Sequence, residues 1–274
     1  MTWTDIHSHI LPGFDDGASS DEEFLEIARV AVEGGTSLMA ATPHYDPERP
    51  AFEPGAAARA VERCNGLLQA SGIPLTLVPG VEVRINAGLY DLAMASGGLA
   101  ELKLGRKGKY MLVDLPLMDM PVSTGDILFQ IQLRGITPIL AHPERNRYLV
   151  EHPFSIRDMA LLGIEMQVDS GSLEGMFGRS AKHTARLLLK EGIARLVATD
   201  AHEPRGRGPD LSCAARALKG LLGEEAPRIL MDVNPGLVLD GQRLPAAAGR
   251  PARKTGAGIR RLPPRSRGNR PHPR

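Results

Sequence analysis

Cysteine is nearly missing from this 274-residue chain: Cys64 and Cys213 are the only two, too few for a disulfide framework and in keeping with a reducing compartment. Aromatic residues make up only 4%, so the core has to be built mainly from Leu, Val, Ile and Ala. No apolar run approaches the roughly 18 residues that cross a bilayer, and no basic segment followed by an apolar stretch opens the chain. These two absences exclude a membrane span and a secretory leader as read, and point to a cytoplasmic protein. A nucleotide-binding loop is also missing. Gly105-Arg106-Lys107-Gly108-Lys109 has neither the spacing of a P-loop nor its closing Ser or Thr.

Acid is missing from one end. Residues 245–274 hold nine Lys or Arg and no Asp or Glu, so the body before them carries 24 basic and 32 acidic residues, a net of −8 hidden beneath a whole-chain charge of +1. The end is rich in turn formers and poor in large apolar groups, which predicts a disordered basic tail over 245–274. Such a tail suits an acidic partner, nucleic acid or anionic lipid, though an idle extension is the plainer reading, and no nucleic-acid partner is expected. The folded domain is expected over 1–244.

Within that domain apolar runs alternate with helix signals. Ser20 and Glu23 have capping-box spacing ahead of a helix over Asp21 to Glu33, with Phe24, Leu25, Ala28 and Val32 on one stripe. Short runs are read as strands at Trp3 to Ile6, Ser37 to Thr42, Leu75 to Val81, Tyr110 to Leu115, Ile136 to Ala141, Ile164 to Val168 and Arg195 to Thr199. Helix-length stretches such as Gly55 to Ala70, Ser123 to Arg134 and Ser180 to Glu191 separate them. The alternation predicts an α/β protein with a parallel sheet.

Chemistry-bearing residues gather where the runs end. His7 and His9 follow the first run, His44 the second, Glu82 the third, Asp114 the fourth, His142 the fifth, and Asp200 with His202 the seventh; the sixth is assigned none. A barrel brings all such ends to one rim, whereas an open sheet spreads them along a line. The expected fold is therefore a distorted seven-stranded (βα) barrel with its site at the C-terminal strand ends. In extended backbone alternate side chains share a face, so His7-Ser8-His9 presents two imidazoles to one point.

With Asp16 on the following loop the set reaches nine nitrogen and oxygen ligands and no thiolate: His7, His9, Asp16, His44, Glu82, Asp114, His142, Asp200 and His202. That is more than one ion needs. Mixed His and carboxylate sets suit catalytic Mn, Fe, Zn or Co with open positions, so two or three ions are expected. Such clusters activate water and clamp phosphoester oxygens, and Arg145 and Arg207 are candidates to grip a phosphate. A cysteine-based phosphatase is excluded, because the arginine needed six positions on is Ala70 after Cys64 and Lys219 after Cys213. Asp5 and Asp15 suit either plain turn roles or orienting of the ligand histidines, and Tyr45 either packing or a pocket wall. His152, His183 and His272 are read as non-ligands.

Asp5-Ile6-His7-Ser8-His9-Ile10-Leu11-Pro12-Gly13, Asp15-Asp16-Gly17, Ala41-Thr42-Pro43-His44, Gly80-Val81-Glu82-Val83, Ala141-His142-Pro143-Glu144-Arg145, Thr199-Asp200-Ala201-His202 and Asp232-Val233-Asn234-Pro235 resemble one known group. It is the bacterial metal-dependent protein-tyrosine phosphatases of the PHP (polymerase and histidinol phosphatase) superfamily, usually encoded with capsule or exopolysaccharide genes. The resemblance, over about residues 3–241, implies a distorted seven-stranded barrel of PHP type. It implies a trinuclear site, typically manganese with Fe, Zn, Co or Mg as substitutes, hydrolysing phosphotyrosine on the tail of a bacterial tyrosine kinase that controls polysaccharide export. By motif, His7, His9, Glu82 and Asp200 would hold one ion. Glu82, Asp114 and His142 would hold a second, Asp16, His44 and His202 a third, and Arg145 and Arg207 the phosphate. Asp114 stands where relatives commonly carry glutamate, and the basic tail lies outside the pattern. Two other readings share these residues: a phosphoesterase for a small metabolite such as histidinol phosphate, and a non-catalytic metal-stabilised interaction module.

Overall fold

The structure, a computed structural model, describes residues 2–53, 55–105 and 107–245. The expected tail, apart from Pro245, lies outside the described residues. Nine strands are present among them: β1 Trp3–Asp5, β2 Thr36–Ala41, β3 His44–Tyr45, β4 Thr76–Pro79, β5 Glu82–Arg84, β6 Tyr110–Asp114, β7 Thr137–Ala141, β8 Glu165–Asp169 and β9 Ala194–Ala198. All pairings are parallel, in one sheet ordered β1-β2-β4 and another ordered β3-β5-β6-β7-β8-β9. Helices fill the connections other than the two short ones, from β2 to β3 and from β4 to β5.

The expected count of seven strands is therefore corrected to nine among the described residues. Two of the apolar runs are each followed at once by a further short strand, β3 after Ser37 to Thr42 and β5 after Leu75 to Val81, with a proline at or near the break because it has no N–H to continue a ladder. Pro43 separates β2 from β3, and there Thr42 N donates to Ser8 O (2.8 Å). Pro79 ends β4, after which Gly80 N reaches Ala41 O (3.0 Å) and Glu82 N reaches Pro43 O (3.1 Å). Each run thus bends from the first sheet into the second. On the far side the sheets meet through a single parallel bridge, Ser8 to Ala201, in place of a continuous ladder.

One apolar cluster lies between the sheets. It takes Ile6, Ala40 and Val78 from the first sheet and its flank, Leu112, Ile139 and Leu196 from the second. Val238 and Leu239, from the helix Asn234–Leu239, complete it. Nearby, Tyr110 Oη donates to Gln242 O (2.7 Å), so the C-terminal segment closes the end where the strands begin, away from the site. Gly105 is required there, since a Cβ on it would come within 2.7 Å of Leu239 backbone.

The larger cluster packs helices outside the sheets. The helix Asp21–Glu33 spans the expected residues, with Ser20 Oγ accepting from Glu23 N at 3.3 Å. The reciprocal half of the capping box is missing, because the Glu23 carboxylate turns to Ser19 N (2.8 Å). Its buried face is Phe24, Ile27, Ala28 and Ala31, so the stripe lies slightly round from the expected one and leaves Leu25 and Val32 half-buried.

Candidate metal centre

The alternation of the first motif operates as geometry requires. Ser8 turns away and donates from its hydroxyl to Ala40 O (2.8 Å), while His7 and His9 turn to the same side and are both fully buried. The backbone there is held by Asp200 N to His7 O (2.9 Å) and His9 N to Ala201 O (2.8 Å), so the first and last site motifs are fastened directly together. Asp5 supports the same junction, accepting from Thr199 Oγ1 (2.5 Å), Thr199 N (3.2 Å) and His7 N (3.1 Å). Gly17 lets the next loop fold back over His9, since a Cβ there would sit 1.8 Å from His9 O.

Four ligand atoms converge. His7 Nε2 and His9 Nε2 are 3.2 Å apart, each is 3.2 Å from Asp200 Oδ1, and each is 3.5 Å from Glu82 Oε2. Ligands about 2.1 Å from one ion are separated by roughly 3 to 3.5 Å, which is this spacing. Glu82 faces a second point as well, with Oε1 2.9 Å from His142 Nε2. A third group comprises His9, Asp16, His44 and His202, in which Asp16 Oδ1 lies 3.2 Å from His202 Nε2 and 3.6 Å from His44 Nε2. His44 also approaches the centre, its Nδ1 2.8 Å from Glu82 Oε2.

Several inward atoms are buried without a hydrogen bond of satisfactory geometry, although other site groups lie near them: Glu82 Oε2, Asp200 Oδ1, His202 Nε2 and Asp114 Oδ1. Orphaned buried acceptors are costly, and a cation answers them. The donor set of imidazoles and carboxylates therefore fits divalent metal. Its protonation reports the same frustration. Burial opposes charge on His7, yet Glu82 and Asp200 outweigh it and hold the ring at about 9; His9 is likewise raised, with Asp15 the foremost of the groups that outweigh its burial. Glu82 and Asp200 are held well below the carboxylate range against their burial, with His7 first among the causes. Without metal, protons on the histidines compensate these acids. His202 differs: burial, then His9, drives it down to about 4, and its Nδ1 donates to Asp200 O (2.8 Å), leaving Nε2 free to ligate.

Asp114 is the one expected ligand outside these convergent groups. Its Oδ2 is 3.2 Å from the Arg84 guanidinium, and burial, then the charge of Glu82, raises its carboxyl. It still lines a cavity of about 290 Å³ with His44, Tyr45, Asp46, Glu82 and Arg84. Arg84 was not legible as a site residue, for its register opposite Asp114 arises only from β5–β6 pairing.

Both expected arginines are present. Arg145 Nη1 lies 2.5 Å from Asp200 Oδ2 and 3.1 Å from Asp169 Oδ2, and Arg207 Nη2 lies 2.6 Å from the same Asp200 oxygen. Asp200 thus turns one oxygen to the histidines and the other to the guanidinium groups. Phe177 stacks beneath Arg145, 4.0 Å from ring centre to guanidinium.

The orienting partners were only partly foreseen. Asp15 accepts from His9 Nδ1 (2.6 Å), as weighed, and also from His44 N (2.8 Å). Asp5 orients no imidazole. His7 Nδ1 instead meets Gln167 Oε1 (3.0 Å), from the sixth run, where strand β8 holds Gln167 and Asp169 in alternation. Asp169 follows that run directly, so the sixth strand end does hold a site residue; an acid at a strand end was the available signal. Glu144 supports Asp169 by accepting from its N–H (2.9 Å) and from Ser172 Oγ (2.7 Å). Tyr45 is buried against Phe52, and His152 turns away from the site to Tyr148 O.

Compared with known proteins, residues 3–240 match the family model described as capsular polysaccharide synthesis, CpsB/CapC. The chain belongs to this family. It is 35% identical over 240 residues to the tyrosine-protein phosphatase YwqE of Bacillus subtilis (strain 168), covering 88% of this chain and 92% of that one. The putative tyrosine-protein phosphatase CapC of Staphylococcus aureus is 27% identical over 203 residues, 74% of this chain and 78% of its own. Among solved structures, one from work on YwqE of Bacillus subtilis and CpsB of Streptococcus pneumoniae, described as unique metal-dependent tyrosine phosphatases, superimposes with a TM-score of 0.78. It is 32% identical and covers 97% of this chain and all of that one. A lactonase from Listeria monocytogenes, 14% identical with a TM-score of 0.52 over 88% of this chain and 95% of its own, shares the fold alone.

Proposed function

We propose that this family member hydrolyses phosphotyrosine on a protein, using a cluster of divalent ions held by the strand-end histidines and carboxylates. The observation that carries the reading is the convergence of His7, His9, Glu82 and Asp200 at 3.2–3.5 Å around orphaned acceptors. Likeness to YwqE and CpsB supports phosphotyrosine as the substrate group. The proposed holders of the first ion are those four residues. Glu82 and His142, with Asp114 on the same rim, would hold a second, and Asp16, His44 and His202 a third. Manganese is the proposed ion and a tyrosine kinase tail the proposed substrate, in a cytoplasmic setting.

Bound divalent ions supply activated water near neutral pH and neutralise phosphoryl charge. The chain's own residues do the rest. Arg145 and Arg207 present guanidinium groups beside Asp200, where they can move from its outer oxygen to the oxygens of an entering phosphate. Asp169 and Phe177 keep Arg145 in place during that exchange. Gln167 and Asp15 hold the rings of His7 and His9 with their Nε2 atoms inward.

The test is hydrolysis of a phosphotyrosyl peptide by metal-stripped protein, with Mn, Mg, Zn or Fe(II) restored in turn and His9→Ala as control. Recovery with manganese and loss in the variant is the expected result. Folded protein that prefers histidinol phosphate to the peptide would overturn phosphotyrosine as substrate, and folded protein inactive with every metal on both would overturn catalysis.

A further inference from the structure

The loop after β6 is built in a way that metal chemistry does not require. Leu115 is buried and Met120 packs partly into the core, so two apolar side chains anchor the segment inward. Leu117, Met118 and Val122 turn outward instead, 49%, 64% and 79% exposed. Their backbone is pinned. Asn146 Nδ2 donates to Pro116 O and to Asp119 O, both at 2.7 Å, and Arg147 N donates to Leu117 O at 2.7 Å. Thr124 Oγ1 ties the far end to Pro121 O (2.7 Å). Exposed apolar groups on a held backbone mark a contact surface more than a loose loop does.

Position says what the surface contacts. The segment starts just past Asp114 at the end of β6, and the residue that pins it, Asn146, directly follows Arg145. It therefore stands at the rim of the metal centre, between the strand ends that carry Asp114 and His142. Any part of a substrate that lies on this rim while its phosphate occupies the centre is covalently attached to that phosphate. A small phosphate ester has no body left to lie there, whereas a polypeptide has residues on both sides of its phosphorylated side chain.

We infer that the Pro116–Val122 loop is a docking rim for the polypeptide flanking the phosphotyrosine, with Leu117, Met118 and Val122 contacting apolar residues of the substrate. This inference rests on the phosphotyrosine reading above. The rim makes the enzyme selective for protein over small phosphate esters, through binding and not through the chemical step.

The experiment uses the full-length, metal-loaded protein and a variant carrying Leu117→Ser, Met118→Ser and Val122→Ser, with Val122→Ser alone as a milder companion. Three substrates are compared: a phosphotyrosyl peptide with apolar neighbours, the same peptide with those neighbours replaced by Gly and Ser, and para-nitrophenyl phosphate. Wild type should prefer the apolar peptide by about tenfold in kcat/KM, through KM, as expected for a few partly buried side chains. The triple variant should treat the two peptides alike, with para-nitrophenyl phosphate turnover and metal content unchanged, and Val122→Ser should fall between. Affinity for a non-hydrolysable phosphonate version of the apolar peptide should drop in parallel. A wild type indifferent to the neighbours, a variant that keeps the preference, or an equal loss on the aryl phosphate would each overturn the docking rim. Failure of the underlying reading looks different: wild type would cleave para-nitrophenyl phosphate and neither peptide.

Discussion

Gln167 and Asp15 show how much of the centre depends on residues that ligate nothing. Each takes one nitrogen of a histidine ring and so decides which nitrogen faces the proposed metal position. Gln167→Leu should leave the fold intact and weaken metal affinity about 10- to 100-fold, measured by titration of metal-stripped protein. Arg145→Ala should raise KM for a phosphotyrosyl peptide about 10- to 100-fold, since a charge-assisted grip on phosphate is lost while the ligands remain. The pH response follows from His7, whose pKa in the metal-free protein is held up at about 9. A group with a raised folded pKa contributes stability that is fully present below the unfolded value near 6.5 and is lost as pH rises through about 9. Metal-stripped protein should therefore lose stability across that window, in denaturant titrations, while its metal affinity climbs as the imidazoles shed protons. Metal-loaded protein, with its imidazoles already neutral, should show little of the decline.

Backbone elements carry strain where the chemistry sits. Among the described residues, His142 at φ 31° and Asp200 at φ 51° are the non-glycine residues with positive φ, and both are proposed ligands at strand ends. The strand stops and the chain turns sharply inward, which aims the side chain at the centre. Elsewhere the elements obey ordinary rules. The helix Asp21–Glu33 depends on its Ser20 cap and on Phe24, so Ser20→Ala should cost about 1 kcal/mol. Phe24→Ala should cost about 3–5 kcal/mol, measured by urea unfolding, with metal content in the folded fraction unchanged. Much of this level was legible. Helix and strand positions agree closely with apolar periodicity because local pattern dictates them. The short strands β3 and β5 beyond Pro43 and Pro79 were not foreseen, because two or three residues carry no period of their own and become strands only once a neighbouring strand is in place.

For the whole molecule, opposite ends of the chain meet at the site, with β1 and β9 joined through Ser8 and Ala201. Filling the centre should bind the first and last motifs together more tightly than the backbone bridge alone. Metal at about 100 times its Kd should add about 2.7 kcal/mol to stability, and chelation should lower Tm accordingly. Among the described residues no helix is long and apolar enough to cross a membrane. The sequence by itself determined the residue types, their places at successive strand ends, the alternation that puts His7 and His9 on one face, and the parallel α/β class. All of these are local properties, set by spacing and hydrophobic period within a few residues. Tertiary structure alone decided that Glu82 is shared between two groups, that Gln167 and Asp169 back the centre, that Asp114 meets Arg84, and that two sheets join by a single bridge instead of closing as one ladder. Those outcomes depend on which strands become neighbours and in what register, and contacts between residues on different strands have no local spacing to announce them.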